Sequence, residues 1–434
     1  MPSIRFIGLI INSVSLSTFF YNTGIGIYRA AAGFAAGVGG NKKAQLWLNG
    51  RKDPWPALEA AFKGNERVLW VHAASLGEFE QGRPVLEAIR KEYPGLRILL
   101  TFFSPSGYEV RKDYPGADYV CYLPLDTPRN ARRFLDIVKP SLAIFIKYEF
   151  WYHYLSGMYT RKIPVILISG IFRHNQVFFK RYGGMFRKLL ERMDHLFVQN
   201  DASLHLLHIH GINQVTVVGD TRFDRVWQLR QHPVSLPDIE RFITVENTVV
   251  AGSTWEADEK VLAEWWYGGG REGRQLVVAP HEIHDAHIEN IKALFPDAVK
   301  YSEFAASEAG PAAVMIIDNV GMLSALYRYG RIAYVGGGFG KEGIHNLLEP
   351  ATYSRPVIIG PVFHQFLEAE TLVQTRGAIV INNAAELGRA VEALKDPYYY
   401  EQTAEITGRF VQENQGATDK IMHYIQEKRF LTKV

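Results

Sequence analysis

Beyond residue 65 the chain alternates short apolar runs, rich in Val, Ile, Leu and Phe, with longer stretches of mixed polarity. The apolar runs predict strands at 68–75, 97–103, 119–125, 142–150, 164–170, 195–199 and 215–219. Several are almost continuously hydrophobic, as parallel strands covered on both faces are. Helix-length segments such as 81–93 and 129–138 lie between them. Alternation of this kind predicts a doubly wound α/β domain.

The pattern pauses at 228–246, where His232-Pro233 and Leu236-Pro237 are expected to interrupt any helix. It resumes with strands predicted at 248–253, 275–280, 314–317, 332–335, 357–360 and 378–381. A linker followed by a second α/β domain is the reading. Two such Rossmann-like domains in tandem are expected to face a central cleft with the carboxyl ends of their strands, where doubly wound sheets bind ligands. The expected boundaries are an N-terminal segment 1–44, a first domain 45–230, a second 231–410 and a helical tail 411–434 packing back on the first domain.

The N-terminus departs from this pattern. Between Arg5 and Arg29, residues 6–28 carry no charge, a length that could span a bilayer. Asn12, Ser13, Ser15, Ser17, Thr18, Asn22 and Thr23 weaken a spanning reading. An interfacial anchor is favoured, since Lys42, Lys43, Arg51 and Lys52 follow and could touch anionic lipid. A spanning helix, a secretory signal and a docked first helix are the alternatives.

A chain of 434 residues exceeds one ordinary core, and 47% hydrophobic with 21% charged residues describes a globular protein. The net charge of +3 implies no global field for nucleic acid. The single cysteine, Cys121, excludes an internal disulfide and a Cys-rich metal site.

Four segments carry candidate chemistry. Glu78 follows the first strand in Ser75-Leu76-Gly77-Glu78, where a carboxylate could take a proton from an acceptor hydroxyl. The same Ser-x-x-Glu spacing is a helix capping box, and local sequence favours the cap. Glu149 ends an apolar and aromatic run, either as a strand-end residue reaching water or as a second cleft carboxylate. Gly336-Gly337-Gly338-Phe339-Gly340-Lys341-Glu342-Gly343 follows a strand, and such a loop ahead of a helix favours phosphate. Glu342 stands where a P-loop needs Ser or Thr, and the dinucleotide fingerprint lacks its acidic ribose partner. Ser253-Thr254 and Pro280-His281 also follow strands and offer hydroxyl and imidazole donors. His284 and His287 read as lone surface histidines, and there is neither an HExxH spacing nor an Asp-x-Asp pair to hold a metal.

An ordered series of motifs resembles the 3-deoxy-D-manno-octulosonic acid (Kdo) transferases of lipopolysaccharide assembly. It comprises Asn49-Gly50-Arg51-Lys52, His72-Ala73-Ala74-Ser75-Leu76-Gly77-Glu78, Leu123-Pro124-Leu125-Asp126-Thr127-Pro128 and the segment around Glu149-Phe150-Trp151. Gly219-Asp220-Thr221-Arg222-Phe223-Asp224, Ala251-Gly252-Ser253-Thr254, Gly336-Gly337-Gly338 and His345-Asn346-Leu347-Leu348-Glu349-Pro350 complete it. The resemblance implies a GT-B fold and inverting transfer of Kdo from CMP-Kdo to a lipid A precursor of the lipid IVA type, with no metal or other cofactor. It implies that Glu78 is the general base, reversing the local preference for the cap, and that Glu149 supports the acceptor side. Ser75, Gly77, Arg51 and Lys52 would lie near the acceptor. Ser253, Thr254, Pro280, His281, Gly337, Gly338, His345 and Asn346 would line the CMP wall, with Glu349 on the ribose hydroxyls. The uncharged N-terminus would anchor the enzyme on the cytoplasmic face of the inner membrane, with no nucleic-acid partner. Two departures stand out: the family commonly has Pro-Arg-His at Pro280-His281-Glu282, and Gly-Gly-His at Gly343-Ile344-His345. The first removes a fixed positive charge beside the leaving phosphate, for which Arg222 or Lys341 could substitute.

Overall fold

The structure, a computed structural model, describes residues 3–63, 66–147, 149–305 and 312–432, with side chains from residue 16 onward. The chain forms two compact units: one up to Arg222, rejoined from Gly416, and another spanning Phe223–Gln415.

The first unit is built on a sheet of seven parallel strands: β1 (Val68–Ala73), β2 (Arg97–Phe102), β3 (Tyr119–Tyr122), β4 (Leu142–Ile146), β5 (Val165–Gly170), β6 (His195–Val198) and β7 (Val215–Val217). Their order is β3-β2-β1-β4-β5-β6-β7. Alternate residues of one strand feed two cores. Trp70 and Phe145 pack with Phe134 and Tyr154 on one face, while Val71, Ile144 and Ile168 join Phe79 and Leu86 on the other. The sheet is therefore covered on both sides, which explains the unbroken apolar runs. Cys121 is buried there, its thiol pushed up to about 12 by desolvation. The helix Ala417–Glu427 belongs to the second of these cores, with Ile421 and Ile425 fully buried beside Leu86 and Ile89.

The second unit repeats the plan: β8 (Thr248–Thr254), β9 (Gln275–Pro280), β10 (Val299–Lys300), β11 (Val314–Ile316), β12 (Ile332–Val335), β13 (Val357–Ile359) and β14 (Ala378–Val380). All pair in parallel, in the order β10-β11-β9-β8-β12-β13-β14. β10 was not predicted; two residues carry no readable period. The proline-rich stretch is also more structured than expected. Thr221–Gln231 is helical, and Pro237 opens the helix Pro237–Phe242 at a position where its missing N–H costs nothing.

The N-terminal helix Ser3–Gly37 docks through a narrow stripe. The Tyr21 hydroxyl donates to Asp126 Oδ2 at 2.6 Å, Asn22 pairs with His153 at 2.7 Å, and Tyr28 packs edge-on against Trp47. Asp126 is almost fully buried and also accepts the backbone N–H groups of His153 and Tyr154; burial pushes its carboxyl up to about 6. Away from that stripe Leu16, Phe19, Phe20, Ile27 and Phe34 are exposed. Among the described residues no helix is long and apolar enough to cross a membrane. The side chains of residues 6–15, ten of the 23 in the uncharged stretch, lie outside the described residues.

Candidate active site

The strand order reverses between β1 and β4 in the first sheet and between β8 and β12 in the second. The loops at such a reversal diverge, leaving a crevice at the carboxyl ends of the strands. Glu78 follows β1 and Glu149 follows β4. Ser253 and Thr254 close β8, and Gly336–Gly338 follow β12.

Ser75 is the N-cap of the helix Leu76–Glu92, but its hydroxyl makes no capping bond. Glu78, in the first turn, reaches back so that Oε2 accepts the Ala74 N–H at 2.8 Å. Half of a capping box is present, turned on the preceding loop. Burial and then the neighbouring Glu149 charge push the Glu78 carboxyl up to about 7. A carboxylate of that kind holds a proton near neutrality, which suits a general base. Gly77 is exposed, and a side chain built there would meet nothing within 4 Å. The fold leaves this position open.

Glu149 lies in the loop beyond β4, not on the strand as its apolar run suggested. Its Oε2 is 3.3 Å from His72 Nε2. His72 is fully buried, with Nδ1 2.8 Å from Thr101 Oγ1 and with the Trp151 indole N–H 3.0 Å from Nε2. His72 and Trp151 were visible in the sequence as motif letters. Their role was not, because it depends on which residues of β1, β2 and the β4 loop come together in register.

The four acceptor-side candidates separate. Ser75 and Gly77 flank Glu78. Arg51 is held by structure: Nε donates to the Leu123 carbonyl at 2.9 Å, and its terminal nitrogens donate to those of Trp47 (3.0 Å) and Phe103 (2.6 Å). The rings of Trp47, Phe103 and Tyr122 enclose it. Lys52 is exposed and, with Arg29 and Trp55, lines a cavity of about 450 Å3.

In the second unit the glycine cluster is required by close backbone approach. A Cβ at Gly336 would lie 2.4 Å from the Ser253 carbonyl oxygen, and one at Gly338 2.6 Å from Gly360 N. Buried Asp258 organises the loop, accepting the N–H groups of Gly337 (2.9 Å) and Trp255 (3.0 Å) and the Tyr334 hydroxyl (2.7 Å). The Gly337 amide is therefore already bonded. Thr254 is likewise internal, donating to Glu259 at 3.0 Å, whereas Ser253 adopts a left-handed φ of 52° at the strand end. Such strain in a non-glycine residue persists only where its surroundings enforce it.

His281 follows Pro280 at the end of β9 and stacks on His345 with centroids 4.2 Å apart. Trp255 stacks on His281 and donates from Nε1 to His345 Nε2 at 2.8 Å. Burial, and then His281, push the His345 ring down to about 4; burial also lowers His281. Both rings are thus neutral at pH 7. Asn346 donates to Glu349 at 3.2 Å beside them. Lys341 is exposed on the glycine loop, while Arg222 is bound by two nitrogens to Asp220 in the first unit. His287 corrects the sequence reading: it is buried, not a surface residue, with Nε2 3.0 Å from Glu259 and Nδ1 2.9 Å from the Glu282 carbonyl. His284 is exposed as expected.

A family model described as 3-deoxy-D-manno-octulosonic-acid transferase (kdotransferase) matches residues 51–225. The 3-deoxy-D-manno-octulosonic acid transferase of Aquifex aeolicus (strain VF5) is 29% identical over 363 residues, covering 81% of this chain and 94% of that protein. The enzyme of the same name from Haemophilus influenzae is 26% identical over 386 residues, covering 82% of this chain and 86% of the relative. Among solved structures, the UDP-GlcNAc 2-epimerase of Neisseria meningitidis, bound to UDP-GlcNAc, is similar with a TM-score of 0.57 at 15% identity, over 83% of this chain and all of that one. This likeness is one of fold, the GT-B architecture of paired doubly wound domains. With a Kdo transferase family model matching residues 51–225 and Kdo transferases as relatives over most of its length, the chain is similar to the Kdo transferases, a family of glycosyltransferases.

Proposed function

We propose that this chain transfers Kdo from CMP-Kdo to a lipid A precursor of the lipid IVA type, with inversion and without a metal, in lipopolysaccharide assembly. The observation that carries the mechanism is Glu78: a half-buried carboxylate at the reversal point of the first sheet, raised to about 7 and anchored by the Ala74 N–H. It takes the proton of the acceptor hydroxyl as the bond to CMP breaks. A general base typically contributes about 10²–10⁴ in rate. Glu149, beside it, supports the acceptor side. The loops after β8, β9 and β12 take the CMP moiety, with the His281–His345 stack and Lys341 toward the phosphate and Glu349 toward the ribose.

The acceptor's lipid character is supported by the N-terminal helix. Its exposed Phe19, Phe20, Ile27 and Phe34 suit an interfacial position on the cytoplasmic face of the inner membrane. Between this helix and Phe103 lies a mainly apolar cavity of about 350 Å3, lined by Tyr28, Ala31, Ala35 and Trp47.

The test is to incubate detergent-solubilised full-length protein with CMP-Kdo and a tetraacylated lipid A precursor, with and without chelator. Equal amounts of free CMP and Kdo-lipid in both samples are expected. A folded protein that consumed a UDP-sugar instead would overturn the donor; turnover abolished by chelator would overturn the metal-free chemistry.

A further inference from the structure

His72 Nε2 has two partners that make opposite demands. An imidazole nitrogen carries either a hydrogen or a lone pair. The Trp151 indole can only donate, so its 3.0 Å bond requires Nε2 bare and the ring hydrogen on Nδ1. An ionised Glu149 can only accept, so a bond across its 3.3 Å separation requires a hydrogen on Nε2. The far side of the ring does not decide between them. Thr101 Oγ1 accepts from the Trp70 indole at 2.8 Å and lies 3.4 Å from the Val71 carbonyl. Its hydroxyl hydrogen can turn to Val71 and let Oγ1 accept from Nδ1–H, or turn to a bare Nδ1.

We propose that His72 is a positioning residue of the transfer reaction, a proton switch that sets how much negative charge Glu149 presents to Glu78, with Trp151 holding the switch in its bare form. The proposal rests on Glu78 as the base and adds what governs that base. With Trp151 bonded, Glu149 faces a lone pair and keeps its full charge toward Glu78. With Trp151 withdrawn, Nε2 takes a hydrogen from water, either by releasing the Nδ1 hydrogen or by becoming imidazolium, and binds Glu149. Glu78 then feels less repulsion and loses its own proton at lower pH.

The other charged or titratable groups around the pair are Lys147 in the same loop, which lowers Glu78, and Tyr21 of the N-terminal helix, which feels Glu149 and is bonded to Asp126. Trp151 also packs on Phe103 at 4.7 Å, and Phe103 covers Arg51. An acceptor that moves this aromatic ledge therefore acts on Nε2.

The experiment is the pH profile of kcat/KM for full-length Trp151→Phe, His72→Asn and the double variant. Phe has no indole hydrogen to offer, so the acid limb of Trp151→Phe should move down by about one pH unit, the lower end for an opposite charge beside a carboxylate. In His72→Asn, whose side chain reaches Thr101 and has no Nε2, the added Trp151→Phe change should leave the limb in place. A limb moved equally in both backgrounds, or unmoved in Trp151→Phe, overturns the proposal. Nitrogen-15 NMR of labelled histidine gives a reading independent of activity. His72 Nε2 should pass from bare to protonated in Trp151→Phe, and an unchanged resonance overturns the switch. If Glu78→Gln keeps a full acid limb, the base assignment falls instead, and the histidine resonance alone decides the state of His72.

Discussion

Glu78 and Glu149 follow the two strands, β1 and β4, between which the order of the first sheet reverses, and the charge on Glu149 raises the proton affinity of Glu78. Burial of Glu78, and then the repulsion from Glu149, make a site whose protonation is poised near neutrality.

Turnover should therefore rise with pH through about 7 as Glu78 ionises. Glu78→Gln should lower kcat by about 10²–10⁴ while CMP binding is retained. Because the folded carboxyl is raised from 4.5 to about 7, its contribution to stability is fully present below 4.5 and lost as pH rises through 7. Thermal unfolding of Glu78→Gln should show a higher Tm than the parent at pH 8 and a similar Tm at pH 4.

His281 stands where the resemblance to Kdo transferases implies an arginine. His281→Arg supplies a fixed charge to the leaving phosphate and should tighten CMP binding about tenfold, the worth of one charge-assisted hydrogen bond of roughly 1.5 kcal/mol. Titration calorimetry at pH 8 checks this: the parent, whose ring is lowered by burial and neutral, should bind CMP more weakly than the variant.

Gly77 has room for a methyl group and no left-handed backbone to demand glycine. Gly77→Ala should keep the parent Tm yet raise the acceptor KM severalfold, since only an incoming substrate competes for that space. An unchanged KM removes Gly77 from the acceptor surface.

Arg51 and Lys52 are adjacent in the chain and differ in what they hold. Arg51→Ala strips three buried carbonyls of their donor and should cost roughly 2–4 kcal/mol in denaturant unfolding. Lys52→Ala should leave stability within about 0.5 kcal/mol and change only the acceptor KM.

The exposed aromatic residues of the N-terminal helix should govern lipid association. Replacing Phe20 and Phe34 with Glu should reduce co-sedimentation with anionic vesicles, without changing turnover on a detergent-dispersed acceptor. Equal co-sedimentation would leave the helix no interfacial role.

The architecture was legible because its strands are buried on both faces, so apolar runs such as those around Val68 and Leu142 mark them without any partner being known. β10 escaped by being two residues long. Glu78 could be seen at a strand end, but the choice between cap and base could not be made there. The structure shows why: the carboxylate does reach a backbone N–H, yet from the loop side and without Ser75's reciprocal bond. Hidden altogether were the residues that gain meaning only across strands. Asp258 beneath the glycine loop, the buried His287–Glu259 pair and the demands on His72 Nε2 join positions separated by 28 to 79 residues. No local period reports such pairs. The glycine cluster suggested phosphate, and half of its cause proved to be steric, a backbone passing too close to Ser253 and Gly360 for any side chain.

The C-terminal stretch from Ala417 to Leu431 completes a core whose other buried members were laid down before residue 223. The second unit is thus nested inside the first, like a clause set within a sentence. During synthesis the nested unit has all its residues while the host still lacks Ile421 and Ile425. The host domain closes last, and shortening the chain from Gly416 onward would injure the domain that was begun first.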